Sequence, residues 1–134
     1  MKKLVPFFLC FVIAFGFCAC KKKPSIIISI DETKLYGKWQ EGSVFERYYD
    51  SDIERVMPNG DTVRVNGTTW DEADDVTEDE AQLFNWTLKG STLKQEHVGT
   101  FVMVPKLYTI TALNNHSLIY QDEYGVTHYF SKVE

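Results

Sequence analysis

Downstream of residue 35 the chain reads as one short β-strand after another. Phe84-Asn85-Trp86-Thr87-Leu88 alternates apolar and polar side chains, the period of a half-buried strand. Lys89-Gly90-Ser91 then turns the chain, and Thr92 to Val98 follows as its hairpin partner. Leu107 to Leu113, Ser117 to Gln121 and Thr127 to Val133 continue the series, joined by turns at Asn114-Asn115 and Glu123-Tyr124-Gly125. Upstream, Tyr36 to Tyr49 predicts one long strand rich in aromatic and β-branched residues. Met57-Pro58-Asn59-Gly60-Asp61 is a turn, because Asn-Gly readily supplies positive φ. Thr62 to Val65 alternates again, and Asn66-Gly67 is expected to break it. Strands at this spacing with short polar turns predict an antiparallel barrel or sandwich, and closure would remove the exposed edges. Thr77-Glu78-Asp79-Glu80 has the form of a capping box, so one or two helical turns are expected over 78–82.

The N-terminus follows a different pattern. Lys2 and Lys3 precede an almost wholly apolar run from Leu4 to Phe17, a basic start and greasy core that read as a secretory signal. The core falls short of the ~20 apolar residues of a comfortable membrane span. Phe17-Cys18-Ala19-Cys20-Lys21 resembles a bacterial lipoprotein cleavage box. The resemblance implies removal of residues 1–19 and lipidation of Cys20 by three fatty acyl chains, palmitate among them. Residues 20–34 would then be lipidated Cys and tether, and 35–134 a domain. Lys21-Lys22-Lys23 would sit at the headgroups, each charge favouring anionic lipid by about 1 kcal/mol. Surface-exported lipoproteins of the Bacteroides group are usually acidic just after the Cys. The resemblance together with the basic stretch here therefore implies an outer-membrane anchor with the domain facing the periplasm. Ile26-Ile27-Ile28-Ser29-Ile30 reads as a first strand or as part of the tether.

Composition narrows the function classes. Cys10, Cys18 and Cys20 all lie in the leader or at its end, so the domain has no disulfide framework and no cysteine-ligated metal site. With Lys2 and Lys3 removed, twelve basic residues face 19 acidic ones, a net charge of about −7. That balance argues against nucleic acid as a partner, since phosphates need a basic face.

Gly37-Lys38-Trp39 opens the first long strand, and Gly-x-Trp there resembles the lipocalin signature. The later segments follow in order, through Phe84 to Leu88, Pro105 to Thr109, Leu118 to Tyr120 and Tyr129 to Val133. The whole is similar to the lipocalin-like lipoprotein domains of gut Bacteroidetes. The resemblance implies an all-β meander barrel of about eight strands with one short helical turn. It also implies that Gly37, Trp39 and Lys132 close one end, with Lys132 standing where the family usually has Arg. Two features depart from the pattern: the chain lacks a Thr-Asp-Tyr motif, and the domain is short for a lipocalin.

Trp39, Phe45, Trp86, Tyr108, Tyr120 and Phe130 are the candidate ligand-binding residues, since aromatic walls with sparse polar groups suit a small apolar molecule. Filling the barrel core is their competing role. The acidic run from Asp71 to Asp75 lacks the spacing and glycine of an EF-hand and reads as a solvated loop. His97 and His128 lie on strands and His116 in a turn, with no third ligand to complete a zinc site. No metal or cofactor is expected. Gly-x-Ser-x-Gly is absent and no Cys nucleophile remains in the domain, so no catalytic residue is expected either. The sequence reading is a non-enzymatic, membrane-anchored protein binding a small apolar ligand. The alternative is a filled barrel that docks an envelope protein or glycan, with the Asp71 to Asp79 loop as a contact.

Overall fold

In a computed structural model of the chain, residues 30–134 are described. The leader, Cys20, and all of the isoleucine-rich run but Ile30 lie outside the described residues.

Eight strands form a closed antiparallel meander: β1 (Gly37–Glu41), β2 (Val44–Val56), β3 (Thr62–Asp71), β4 (Gln82–Lys89), β5 (Thr92–Val98), β6 (Met103–Leu113), β7 (Ser117–Gln121) and β8 (Thr127–Lys132). Each strand pairs with the next, and β1 returns to β8 through Trp39 opposite Lys132 and Gln40 opposite Ser131. The all-β barrel of about eight strands is thus as expected. Three boundaries differ. The stretch expected as one strand from Tyr36 to Tyr49 is a hairpin, turned at Gly42, whose φ is +62°. Asn66-Gly67 does not end β3. Gly67 stays in the ladder opposite Phe84, and the Phe84 ring covers the spot where a Cβ would stand. The expected helix over 78–82 is a single 3₁₀ turn, Glu78–Glu80, because Gln82 already pairs with Thr69 in the sheet. The Thr77 hydroxyl there donates to the Glu80 carboxylate at 3.2 Å instead of capping a backbone N–H.

Strand alternation sorts side chains into an inner and an outer set. Trp39, Tyr48, Phe84, Trp86, Leu93, Leu118 and Phe130 build the inner core. One end of the barrel is sealed. A 3₁₀ turn, Glu32–Lys34, capped by the Asp31 carboxylate, lays the fully buried Leu35 beneath Trp39. The Trp39 indole N–H donates to the Leu35 carbonyl at 2.8 Å. Tyr36 packs against the same core, and so does Ile30, a residue expected in the tether.

The outer face carries a second, smaller apolar cluster. Phe45 and Trp70 stack at 5.2 Å, and the Lys38 ammonium lies over both rings, at 5.1 and 5.3 Å. Glu78 receives Arg47 at 2.8 Å and Lys38 at 3.5 Å, which pins the β3–β4 connection across this cluster. The acidic run is thereby part of the fold. Asp71 accepts from the Ser43 hydroxyl and the Ala73 amide around a 3₁₀ turn at Glu72–Asp74.

Candidate functional site

The end opposite Leu35 is hollow. A cup of about 430 Å³ opens there, lined from β1, β2, β6, β7 and β8 and the β7–β8 turn. Tyr108, Tyr120 and Phe130 form an aromatic wall, with Tyr108 and Tyr120 centred 4.3 Å apart and Tyr120 and Phe130 5.3 Å apart. Val44, Val104 and Leu107 add aliphatic surface. Such a volume lies within the range of small-molecule sites.

The floor of the cup is polar. Glu46 sits on the inward stripe Val44-Glu46-Tyr48 of β2 and is only 5 % exposed. The Tyr48 hydroxyl donates to its Oε1 at 2.6 Å, and the Tyr120 hydroxyl to its Oε2 at 2.8 Å. Gln95 Nε2 donates to the Tyr48 oxygen at 2.7 Å and approaches Glu46 Oε2 at 3.5 Å. Because Tyr48 accepts from Gln95, its own proton is free for Glu46. Gln95 Oε1 in turn lies 2.8 Å from His97 Nε2, so the imidazole carries its proton there and leaves Nδ1 a buried acceptor with no partner. A directed chain of hydrogen bonds therefore runs from His97 through Gln95 and Tyr48 to Glu46.

The electrostatics follow from burial. Desolvation pushes the Glu46 carboxyl above its usual range, against the opposing hydrogen bonds from Tyr48, Tyr120 and Gln95. The Tyr48 and Tyr120 hydroxyls are pushed up by burial and by the Glu46 charge, so both remain protonated donors at neutral pH. His97 is lowered to about 4 by burial, with the Lys106 charge adding to it, and is neutral. At the rim His128 bridges Glu41, 2.9 Å from Nδ1, and Asp122, 3.1 Å from Nε2. Burial works against its charged form, but the two carboxylates outweigh it and raise its pKa.

The candidates named from sequence divide between three places. Tyr108, Tyr120 and Phe130 line the cup together. Trp39 and Trp86 belong to the core below it, Trp86 edge-on to Tyr48 at 5.6 Å. Phe45 faces outward in the Trp70 stack, because Val44 and Glu46 take the inner face of β2. At the sealed end Lys132 Nζ lies 5.2 Å over the Trp39 ring and 3.4 Å from the Lys34 carbonyl. Gly37 has a φ of +127° and packs so closely on the Glu134 carbonyl and the Lys132 chain that no Cβ fits. His97 and His128 are both inside the barrel, one deep against Phe84 and one at the rim, while His116 is exposed in its turn. Among the described residues no group of three His, Cys, Asp or Glu side chains is placed to hold a metal ion. Glu46 and Gln95 went unnamed in the sequence reading. The signal was available: Leu93-Gln95-His97 and Val44-Glu46-Tyr48 place polar groups on stripes whose other members are core residues.

The chain is similar to a solved lipocalin-like protein from Bacteroides uniformis, with 16 % identity over 75 % of this chain and 99 % of that one and a TM-score of 0.47. No protein-family model and no curated protein matches it.

Proposed function

We propose that this chain is a lipid-anchored, non-enzymatic envelope protein that holds a small molecule with an apolar body in its cup. The observation that carries the reading is the asymmetry of the barrel interior. One end is filled by Leu35, Trp39 and Lys132, while the other leaves about 430 Å³ behind an aromatic wall. A cavity of about 570 Å³ also lies at the base beside Ile30 and Ile110, but without such a wall; an aromatic wall with convergent buried polar groups is what favours a ligand in the cup. Support for the anchor comes from the Phe17 to Lys21 box, in which cleavage ahead of Cys20 would leave that residue as the one remaining thiol. Native mass spectrometry of the protein purified from its host tests the cup. A copurified small molecule is expected, lost in Val44→Trp, which fills the mouth. Retention of the adduct by that variant, or no adduct on the wild type, removes the reading. Labelling with a fatty acid tests the anchor, and continued labelling of Cys20→Ala refutes it.

A second reading rests on the β5–β6 tip. Phe101 is 96 % exposed, and Val102, Met103 and Val104 beside it are exposed too. A run of this kind at the open end suits docking of an envelope protein. The Asp71 to Asp79 loop suits it less, being folded onto the outer cluster through Glu78. Cross-linking from position 101 in intact cells would capture a polypeptide on this reading and none on the first.

A further inference from the structure

We propose that the cup recognises a cationic amine, whose ammonium docks on Glu46 while its apolar body rests on Tyr108, Tyr120 and Phe130. The inference rests on the cup being a ligand site and adds the chemical class of the ligand.

Glu46 is a buried carboxyl that makes no ion pair among the described residues, the His128 charge acting on it only from the rim. Glu46 has three hydrogen-bond donors, all of them neutral: two phenols and an amide. A carboxylate 95 % removed from water is costly unless a cation meets it. The donors around Glu46 are preset to hold it as an acceptor, because Gln95 commits the Tyr48 proton towards it. An apolar cup would need none of this apparatus, since leucine would fill the floor at lower cost.

The walls agree with a cation. Glu41, Asp122 and Glu123 join Glu46 in the lining, against one lysine, Lys106. Glu41 and Asp122 are partly occupied with His128 at the rim, which leaves Glu46 as the carboxylate at the bottom. The aromatic faces of Tyr108, Tyr120 and Phe130 add cation–π attraction for an ammonium and van der Waals contact for its carbon skeleton. Lys106 enters the cup from β6 opposite Gln95 and disfavours a second positive charge. The site thus fits one ammonium on an apolar body, and a polyamine poorly.

The test uses the full chain in phosphatidylcholine nanodiscs and three probes of matched shape: phenethylamine, 2-phenylethanol and 3-phenylpropionate. Calorimetric titration is expected to rank the amine at least about ten-fold tighter than the alcohol, as a charge-assisted hydrogen bond predicts, with the acid weakest. Glu46→Gln should bring amine and alcohol within about two-fold of each other, with near-ultraviolet circular dichroism verifying the fold. Lys106→Met alters an exposed wall residue and leaves the core intact, so it guards against a misfolded floor variant. It should tighten amine binding about two- to five-fold and leave the alcohol unchanged. Equal affinity for amine and alcohol, or an amine preference that survives Glu46→Gln, overturns the amine assignment and leaves the cup reading standing. Failure of all three probes to bind the wild type overturns both.

Discussion

The two ends of this barrel solve the same problem in opposite ways. At the sealed end the polar groups of Trp39 and Lys132 find local partners: the Trp39 N–H meets a carbonyl, and the Lys132 ammonium lies between a ring and a backbone oxygen. At the open end a carboxylate is driven into the interior and surrounded by neutral donors. The first arrangement is what stability alone would select. The second is tolerated at a cost, and tolerated cost inside a cavity is a mark of function. The contrast teaches where a ligand would be sought, at the floor that is harder to hold together.

That contrast can be broken most forcefully from the sealed end. Trp39→Ala should lose about 3–5 kcal/mol in urea unfolding, as large core truncations do. An unchanged midpoint would mean that the seal contributes little. Next in size is pH dependence, where the two interior histidines act with opposite sign. The His97 pKa is depressed from 6.5 to about 4 in the fold. The unfolded chain therefore takes up the proton first, and stability should fall by about 3 kcal/mol as pH drops from about 6.5 towards 4. His97→Phe should flatten that limb. His128 is raised, so its contribution is complete below about 6.5 and is lost as pH climbs through its folded value. His128→Gln should remove this second slope, and a profile unaffected by either change would deny both environments.

A smaller effect has the reverse direction. Glu46 is raised by burial, so its ionisation costs stability as pH rises through the folded value. Glu46→Gln should therefore stabilise the protein at neutral pH, by about 1 kcal/mol. Destabilisation instead would make Glu46 part of the scaffold and erase the difference between the ends. Smallest of all, Tyr124→Ala at the mouth should stay within about 0.5 kcal/mol of wild type, since the ring is 91 % exposed.

The sequence discloses the seal better than the floor, and the reason is physical. Gly37-Lys38-Trp39 marks the sealed end because backbone geometry at Gly37 admits no side chain. The later hairpins are equally plain: Phe84 to Leu88 alternates apolar and polar, and β5 and β7 begin and end where their flanking turns predict. Period two fails at Val44-Phe45-Glu46-Arg47-Tyr48-Tyr49, where both faces carry large side chains. Both are also buried, the inner by the core and the outer by Trp70 and the β3–β4 connection, so hydrophobic period alone does not mark the inner face. The hairpin at Gly42 within this stretch compounds the ambiguity. Phe45 consequently reads as a cup residue although it faces outward, and Glu46 goes unnamed. A hydrogen-bond relay joining β2, β5 and β7 is likewise invisible until the strands close into a ring.

The path of the chain into the barrel has a further consequence. Ile30 lines a cavity with Ser91 and the Thr109 to Leu113 end of β6, at the base rather than the mouth. A leash attached ahead of it would pull on the base, like the stem of a goblet. The rim would then look away from whatever surface holds the stem, and what it gathers would come from the space in front of it.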